Sequence, residues 1–185
     1  AAWAAWGLAI TYAAVFTYTS ILKHDAFKST IWDLGLYEQV IWNLAHGYGF
    51  ASSVSGFNFL GDHLSFGLVL LAPFYRLFPH TETILFLQSS GIALGALPAF
   101  RFAERHLKAG YLALAATAAY LALPIFGYAN LFDFHVEVLA AAPLMFALNA
   151  LEEKRWRVML ICLAIALVMK EEVSFVVMVF GLYAW

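Results

Sequence analysis

Long apolar runs separated by short charged stretches dominate the hydrophobic pattern of the chain. The first run, residues 1–22, carries no charged residue. It is long enough to cross a hydrocarbon core of about 30 Å at a rise of about 1.5 Å per residue. Four more apolar runs follow at residues 83–100, 110–131, 136–151 and from 158 onward. We therefore predict five transmembrane helices.

The segment between the first two runs, residues 23–80, has a mixed pattern. Within residues 31–47 the apolar positions Leu36, Val40 and Leu44 recur at helical spacing, which predicts an amphipathic helix along a membrane surface. Residues 47–61 are rich in glycine and serine and predict an irregular loop. Residues 64–75 are apolar but contain Pro73 and are too short to cross a bilayer. They predict a second juxtamembrane helix.

Basic residues mark two boundaries between the runs. Arg101, Arg105 and Lys108 follow the second predicted span, and residues 154–157 contain three more basic residues after the fourth. By the positive-inside rule, both boundaries and the N-terminus are cytoplasmic. Residues 23–80 and 132–137 then lie together on the extracytoplasmic side of the membrane.

The composition fits this pattern. The chain is 64% hydrophobic and 12% charged, with a mean hydropathy of +0.80, as expected for an integral membrane protein. Its net charge of −2 argues against a nucleic-acid partner, since phosphate binding needs a clustered positive surface. We predict an all-α polytopic bundle that forms a single module over residues 1–185. We expect this module to be a fragment of a longer protein.

Acidic residues near the outer ends of the predicted spans are candidates for chemistry. Asp33 follows Thr30 at the spacing of a capping box, so a helix start is the ordinary interpretation. Asp133 and Glu137 are four residues apart and share a face if a helix begins there. We predict that Asp33 approaches these two acids.

Lys170 and Glu171 fall inside the last apolar run. Ionisable residues within a span usually have buried partners, water or a function. A single helix from residue 158 to the chain end would also exceed the bilayer thickness. We predict a break near Lys170 and a carboxylate partner for this lysine, either Glu171 or an acid of residues 23–80.

Several short motifs share an order and spacing. They are Trp-Asp-Leu-Gly-Leu-Tyr-Glu-Gln at 32–39, Gly-Asp-His at 61–63, Pro-Phe-Tyr-Arg-Leu-Phe-Pro at 73–79, Gln88, Asp-Phe-His at 133–135 and Lys-Glu at 170–171. This succession resembles the prokaryotic membrane family called domain of unknown function 2079, which is grouped with the GT-C glycosyltransferases. The resemblance implies a GT-C-like N-terminal module with two juxtamembrane helices in its first outer loop. It also implies a glycosyltransferase of the cytoplasmic membrane that uses a polyprenyl-phosphate sugar.

The resemblance implies roles for individual residues. Asp33 takes the position of a catalytic base or a metal-contacting carboxylate. The acidic catalytic candidates are Asp33, Glu38, Asp133 and Glu137. The candidates for binding the donor phosphate are Lys170 and Arg76. The candidate ligands for a divalent ion, Mg²⁺ or Mn²⁺, are His63, Asp62 and His135.

Two other classes of protein stay open. A transporter would also use intramembrane lysine and glutamate, but the chain lacks paired broken helices in two related halves. A non-catalytic subunit of a larger membrane assembly would use its tryptophans and histidines to contact lipids or pigments. The expected partners are therefore the bilayer, a polyprenyl-phosphate sugar and other membrane subunits.

Overall fold

A computed structural model describes residues 1–184, which are mostly helical. Ten α-helices follow one another: α1 (Ala2–Asp25), α2 (Leu36–Ala45), α3 (Leu68–Leu77), α4 (Thr81–Leu94), α5 (Ala96–Leu107), α6 (Gly110–Leu121), α7 (Pro124–Phe132), α8 (Ala141–Glu152), α9 (Trp156–Leu167) and α10 (Val173–Ala184). A π-helical turn, Ile31–Gly35, precedes α2, and 3₁₀ turns occur at Phe59–Gly61 and Val136–Ala140. The predicted all-α membrane bundle is confirmed.

Three helical runs in residues 1–184 are long and apolar enough to cross a membrane. They are α1, the pair α4 and α5 as one run of 27 residues, and the pair α6 and α7 as one run of 23 residues. These runs correspond to the first three predicted spans. Gly95 joins α4 to α5 where the Tyr120 hydroxyl approaches most closely, so a larger residue there would collide with α6.

The last two predicted spans differ from the prediction. Residues 136–152 form a 3₁₀ turn and then α8, which has 12 residues. The run after residue 158 is not one helix, because α9 and α10 have 12 residues each and are separated by residues 168–172. The predicted break near Lys170 is thus confirmed, since three consecutive ionisable residues do not continue an apolar helix.

The helices α9 and α10 form an antiparallel hairpin. Val176 lines a cavity with Leu144 near the start of α8, whereas Tyr183 lines another with Leu151 near its end. The helix α10 therefore runs alongside α8 in the same direction, and α9 runs in the opposite direction. The turn of this hairpin carries residues 170–172 to the end of the bundle that also holds residues 23–80, which we call the loop side.

The two basic boundaries meet at the opposite end of the bundle. Arg105, at the end of α5, pairs with Glu152 at 3.0 Å and also with Glu153, at the end of α8. The sequence-based grouping of these boundaries on one side is therefore confirmed. Their cytoplasmic location remains a prediction.

Residues 23–80 pack on the loop side through a buried apolar core. Val40 and Ile41 of α2 and Leu68 of α3 are completely buried in one cluster with Phe134. The helix α3 has 10 residues, a length of about 15 Å, which is half of a hydrocarbon core. The segment thus has two short helices, as predicted, and α3 is too short to cross a bilayer by itself.

The side of the membrane on which this segment lies can be tested by cysteine labelling. In a Cys162→Ser background, we expect cysteines at Ser55 and His80 to react with an impermeant maleimide added to intact cells. A cysteine at Glu104, an exposed residue at the opposite end, should react only after permeabilisation. Positions 55 and 80 flank α3, so their labelling from opposite sides would show that α3 crosses the membrane.

Candidate functional site

A group of charged side chains gathers on the loop side of the bundle. It comprises Lys23, Asp33, Asp133, His135, Glu137 and Lys170, and we call it the polar cluster. Residues 133–135 form its centre because they separate α7 from the 3₁₀ turn. This interruption takes Asp133 and His135 out of the apolar helices and toward the folded loop.

Asp133 is the most constrained residue of the polar cluster. It is 2% exposed and has a φ of 134°, which residues other than glycine rarely adopt. Its carboxylate forms an ion pair with Lys23 and accepts a hydrogen bond from the Thr30 backbone N–H at 2.8 Å. Asp133 therefore fastens the end of α1 and the start of the π-helical turn to the end of α7.

Asp33 lies beside the same segment. Its Oδ2 accepts a hydrogen bond from the Thr30 hydroxyl at 2.8 Å, and the same hydroxyl accepts one from the Asp33 N–H at 3.3 Å. Its Oδ1 lies 3.9 Å from His135 Nε2. The Asp33 side chain is 29% exposed, so a bound molecule can reach it. The predicted approach of Asp33 to residues 133–137 is confirmed, and the capping interaction is present as well.

Lys170 is paired with a carboxylate, as predicted, but with a different one. Its Nζ lies 3.1 Å from Glu137 Oε1, and its side chain is 10% exposed. Glu171 instead accepts a hydrogen bond from the Leu64 N–H at 2.9 Å and contacts His63 Nδ1 at 3.1 Å. The predicted pairing with Glu171 is wrong, because the hairpin turn points these neighbouring side chains in different directions.

The contacts of Glu171 also affect its acidity. Burial acts to raise the pKa of this carboxyl, but hydrogen bonds from backbone N–H groups and from His63 outweigh it and hold the pKa below its usual value. The charged form of Glu171 is therefore the form that fastens the hairpin turn to residues 63–64.

Tyr37 lies among the carboxylates. Its ring makes edge-to-face contacts with Phe59 and Phe134, with centroids 5.4 and 5.3 Å away. Burial raises the pKa of the Tyr37 phenol well above its usual value, and nearby carboxylates raise it further. These carboxylates belong to Glu137, Asp33, Glu171 and Asp62. Acids from three separate parts of the sequence thus surround one aromatic centre.

Two buried polar atoms of the cluster have no hydrogen-bond partner within the described residues. They are His135 Nδ1 and Glu137 Oε2. Buried polar atoms in proteins are nearly always paired with protein, water or a ligand. They belong to residues two positions apart in the chain, close to Asp133.

Two predicted site residues have other partners. Glu38 accepts hydrogen bonds from the hydroxyls of Tyr75 at 2.8 Å and Thr81 at 2.9 Å, which ties α2 to α3 and α4. Burial, together with the hydrogen bond to Glu38, raises the pKa of Tyr75. Arg76 donates to the carbonyl oxygen of Ala45 at the end of α2. These contacts stabilise the packing of the loop segment, and the catalytic role of Glu38 and the phosphate-binding role of Arg76 stay predictions.

We expect Glu38→Ala to lower the free energy of unfolding by about 2 kcal/mol, because it removes hydrogen bonds to a charged group. Thermal unfolding in detergent measures this effect. The control is Glu82→Ala, which removes an exposed carboxylate with no side-chain hydrogen bond in the described part of the chain. Equal stability of the two variants would contradict a structural role for Glu38.

The predicted metal ligands are not brought together. His63 Nε2 lies 4.0 Å from Asp62 Oδ2, whereas His135 faces Asp33. Within residues 1–184, no group of three or more histidine, cysteine, aspartate or glutamate side chains is arranged to hold a metal ion. The three predicted ligands therefore do not form one metal site in the described residues. A role for a divalent ion stays a prediction.

Comparison with protein-family models shows the family to which the chain belongs. A family model described as "Predicted membrane protein (DUF2079)" matches residues 23–185. The chain belongs to this family. The matched range includes every residue of the polar cluster. No curated protein and no solved structure matches the chain. A relationship of this DUF2079 member to the GT-C glycosyltransferases remains a prediction.

The sequence-based interpretation missed the role of Lys23. A lysine at the end of a transmembrane helix is usually an interfacial anchor, and nothing near it in sequence indicated another role. Its partner, Asp133, is 110 positions further along the chain. Only the packing of α1 against α7 brings Lys23 and Asp133 together.

Proposed function

We propose that this DUF2079 member is a GT-C-like glycosyltransferase module that acts on a polyprenyl-phosphate sugar. The main support is the combination of a partly exposed carboxylate, Asp33, with a buried lysine, Lys170, on the same side of the bundle. A carboxylate can accept the proton of an attacking hydroxyl, and a lysine can stabilise a phosphate. Both groups are held by neighbours rather than free in solvent.

The proposed reaction is a displacement at the anomeric carbon of the donor sugar. The acceptor oxygen forms a bond to this carbon while the carbon–oxygen bond to the phosphate breaks. The electron pair of the broken bond stays on the phosphate, and the acceptor proton passes to the Asp33 carboxylate. Thr30 fixes one oxygen of Asp33, and His135 lies beside the other, so the base is already oriented before substrate binds.

Lys170 is suited to the leaving phosphate. An ammonium group has three hydrogen-bond donors, and Glu137 accepts one of them. The remaining donors can bind phosphate oxygens as negative charge develops there. The partly buried location strengthens this interaction, because charges attract more strongly where water is excluded.

A lipid-linked donor fits the position of the polar cluster. The cluster lies at the ends of two long apolar runs, α1 and the α6–α7 run, and next to α8. A polyprenyl chain can therefore remain among lipids while its phosphate reaches Lys170. A soluble nucleotide-sugar donor has no such anchor and gains nothing from this arrangement.

The test is release of polyprenyl phosphate, which is the common leaving group whatever the acceptor. The full-length protein in lipid nanodiscs is incubated with a panel of polyprenyl-phosphate hexoses and a membrane extract as the source of acceptors. We expect release from at least one donor above the rate in empty nanodiscs. Folded protein that releases nothing from any donor would contradict the proposal and favour a non-catalytic membrane subunit.

A further inference from the structure

Gln88 is a completely buried polar residue in the middle of α4. Its Nε2 donates hydrogen bonds to the carbonyl oxygens of Asp133 at 2.8 Å and Ala129 at 3.3 Å. Its Oε1 accepts a hydrogen bond from the His135 backbone N–H at 2.6 Å. All three bonds go to one segment, residues 129–135, which lies more than 40 positions away in the sequence.

These bonds satisfy backbone groups that the interruption after α7 leaves without helical partners. The end of a helix leaves backbone carbonyls without partners, and a buried site offers no bulk water to satisfy them. Gln88 supplies two donors and one acceptor at this point. It thereby fixes the backbone on both sides of Phe134, including the unusual conformation of Asp133.

The direction of the His135 ring follows from the backbone that carries it. The His135 side chain makes no hydrogen bond within the described residues. Its Nε2 lies 3.9 Å from Asp33 and its ring packs against Phe132 with centroids 5.2 Å apart, so Asp33 is the only charged group that it contacts there. A change in the backbone at residues 133–135 would move Nε2 away from Asp33. No other side chain bonds to the backbone at both Asp133 and His135 in the described residues.

We propose that Gln88 is a positioning residue, which sets the backbone of residues 133–135 so that His135 faces Asp33 and holds it in the orientation of a general base. Only the catalytic consequence rests on the proposed function. The placement of His135 against Asp33 is a separate physical statement and is tested without any substrate.

The matched variants are Gln88→Met and Ser89→Ala. Methionine keeps the length of the side chain but cannot form the three hydrogen bonds. Ser89 is equally buried on the same helix and donates to Asn130 Oδ1 at 2.8 Å, so its loss removes a buried hydrogen bond without touching residues 133–135. If Gln88→Met does not accumulate as folded protein, Gln88→Asn replaces it, since it withdraws the amide by one methylene.

The first readout is the NMR resonance of ¹³Cε1 in histidine-labelled protein, with His135 assigned by its absence in His135→Asn. We expect Asp33→Asn to shift this resonance in the wild-type and Ser89→Ala backgrounds but not in the Gln88→Met background. A shift that persists in Gln88→Met would overturn the proposal. So would a shift that disappears equally in Ser89→Ala, because it would reflect general loosening of α4.

The second readout is donor cleavage. We expect Gln88→Met to reduce kcat about 10- to 100-fold with little change in KM, since misplacement of a catalytic group affects the chemical step. Ser89→Ala should keep the wild-type kcat. If the resonance pattern appears but wild-type protein releases no polyprenyl phosphate, the positioning of His135 stands and the proposed function fails. A wild-type kcat in Gln88→Met would remove the catalytic consequence.

Discussion

Replacement of Asp33 by asparagine should reduce the release of polyprenyl phosphate by about 10²- to 10⁴-fold, the usual contribution of general-base catalysis. Asparagine has nearly the same size and can still accept the hydrogen bond from the Thr30 hydroxyl. The π-helical turn should therefore keep its shape. The amide, however, cannot take a proton from the acceptor hydroxyl.

The matched control for this substitution is Asp25→Asn. Asp25 is an exposed carboxylate at the end of α1 and makes no side-chain hydrogen bond or ion pair in the described residues. The Asp25→Asn variant should release polyprenyl phosphate at the wild-type rate. If the asparagine variant at position 33 melts at the wild-type temperature and keeps a rate within threefold of Asp25→Asn, Asp33 is not the base.

Replacement of Lys170 by methionine should destabilise the protein by about 3 kcal/mol, because it leaves the partly buried carboxylate of Glu137 without its counter-charge. The double variant Lys170→Met, Glu137→Gln should recover most of this loss, since the glutamine carries no charge. Thermal unfolding of the four proteins in this cycle measures the coupling. Equal destabilisation in the single and double variants would show that the ion pair is not what stabilises this region.

The same variants separate the structural role of Lys170 from its proposed phosphate contact. Binding of the donor lipid is compared between Glu137→Gln, which keeps the lysine, and the double variant, which lacks it. We expect at least a tenfold weaker affinity in the double variant, because a charge-assisted hydrogen bond to phosphate is lost. Equal affinities would identify Lys170 as a structural ion-pair member only.

The apolar pattern was sufficient to predict the helices that are long enough to span a bilayer. Residues 1–22 and 110–131 have the length and composition that decide their structure locally, and both fall in helices that can span a bilayer. The break near Lys170 was also predictable, because the cost of burying consecutive charges is local. The return of α10 along α8 was not predictable, since it depends on which apolar surface the hairpin packs against.

The partners of the charged residues were the least predictable feature. Glu38 and Glu171 are the same type of residue. Glu38 nevertheless binds hydroxyls of α3 and α4, whereas Glu171 binds residues 63–64. Helical periodicity indicates which face of a helix is polar but not which distant side chain meets it. The contacts of Asp33 were predictable. Its capping motif is local, and its approach to residues 133–137 required only that both segments lie on the same side of the membrane.

The contacts that hold residues 23–80 to later parts of the chain affect the order of folding during synthesis. Lys23 and Thr30 bond to Asp133, Leu64 bonds to Glu171, and Gly67 bonds to Val168. Each partner is therefore translated about 100 residues later than the group that it binds, and such non-local contacts form late. A nascent chain that ends before residue 133 already contains both juxtamembrane helices and the bonds of Glu38 that tie them to each other and to α4, but it lacks Asp133, Val168 and Glu171. Until the hairpin turn is made, this segment lacks its contacts with Val168 and Glu171.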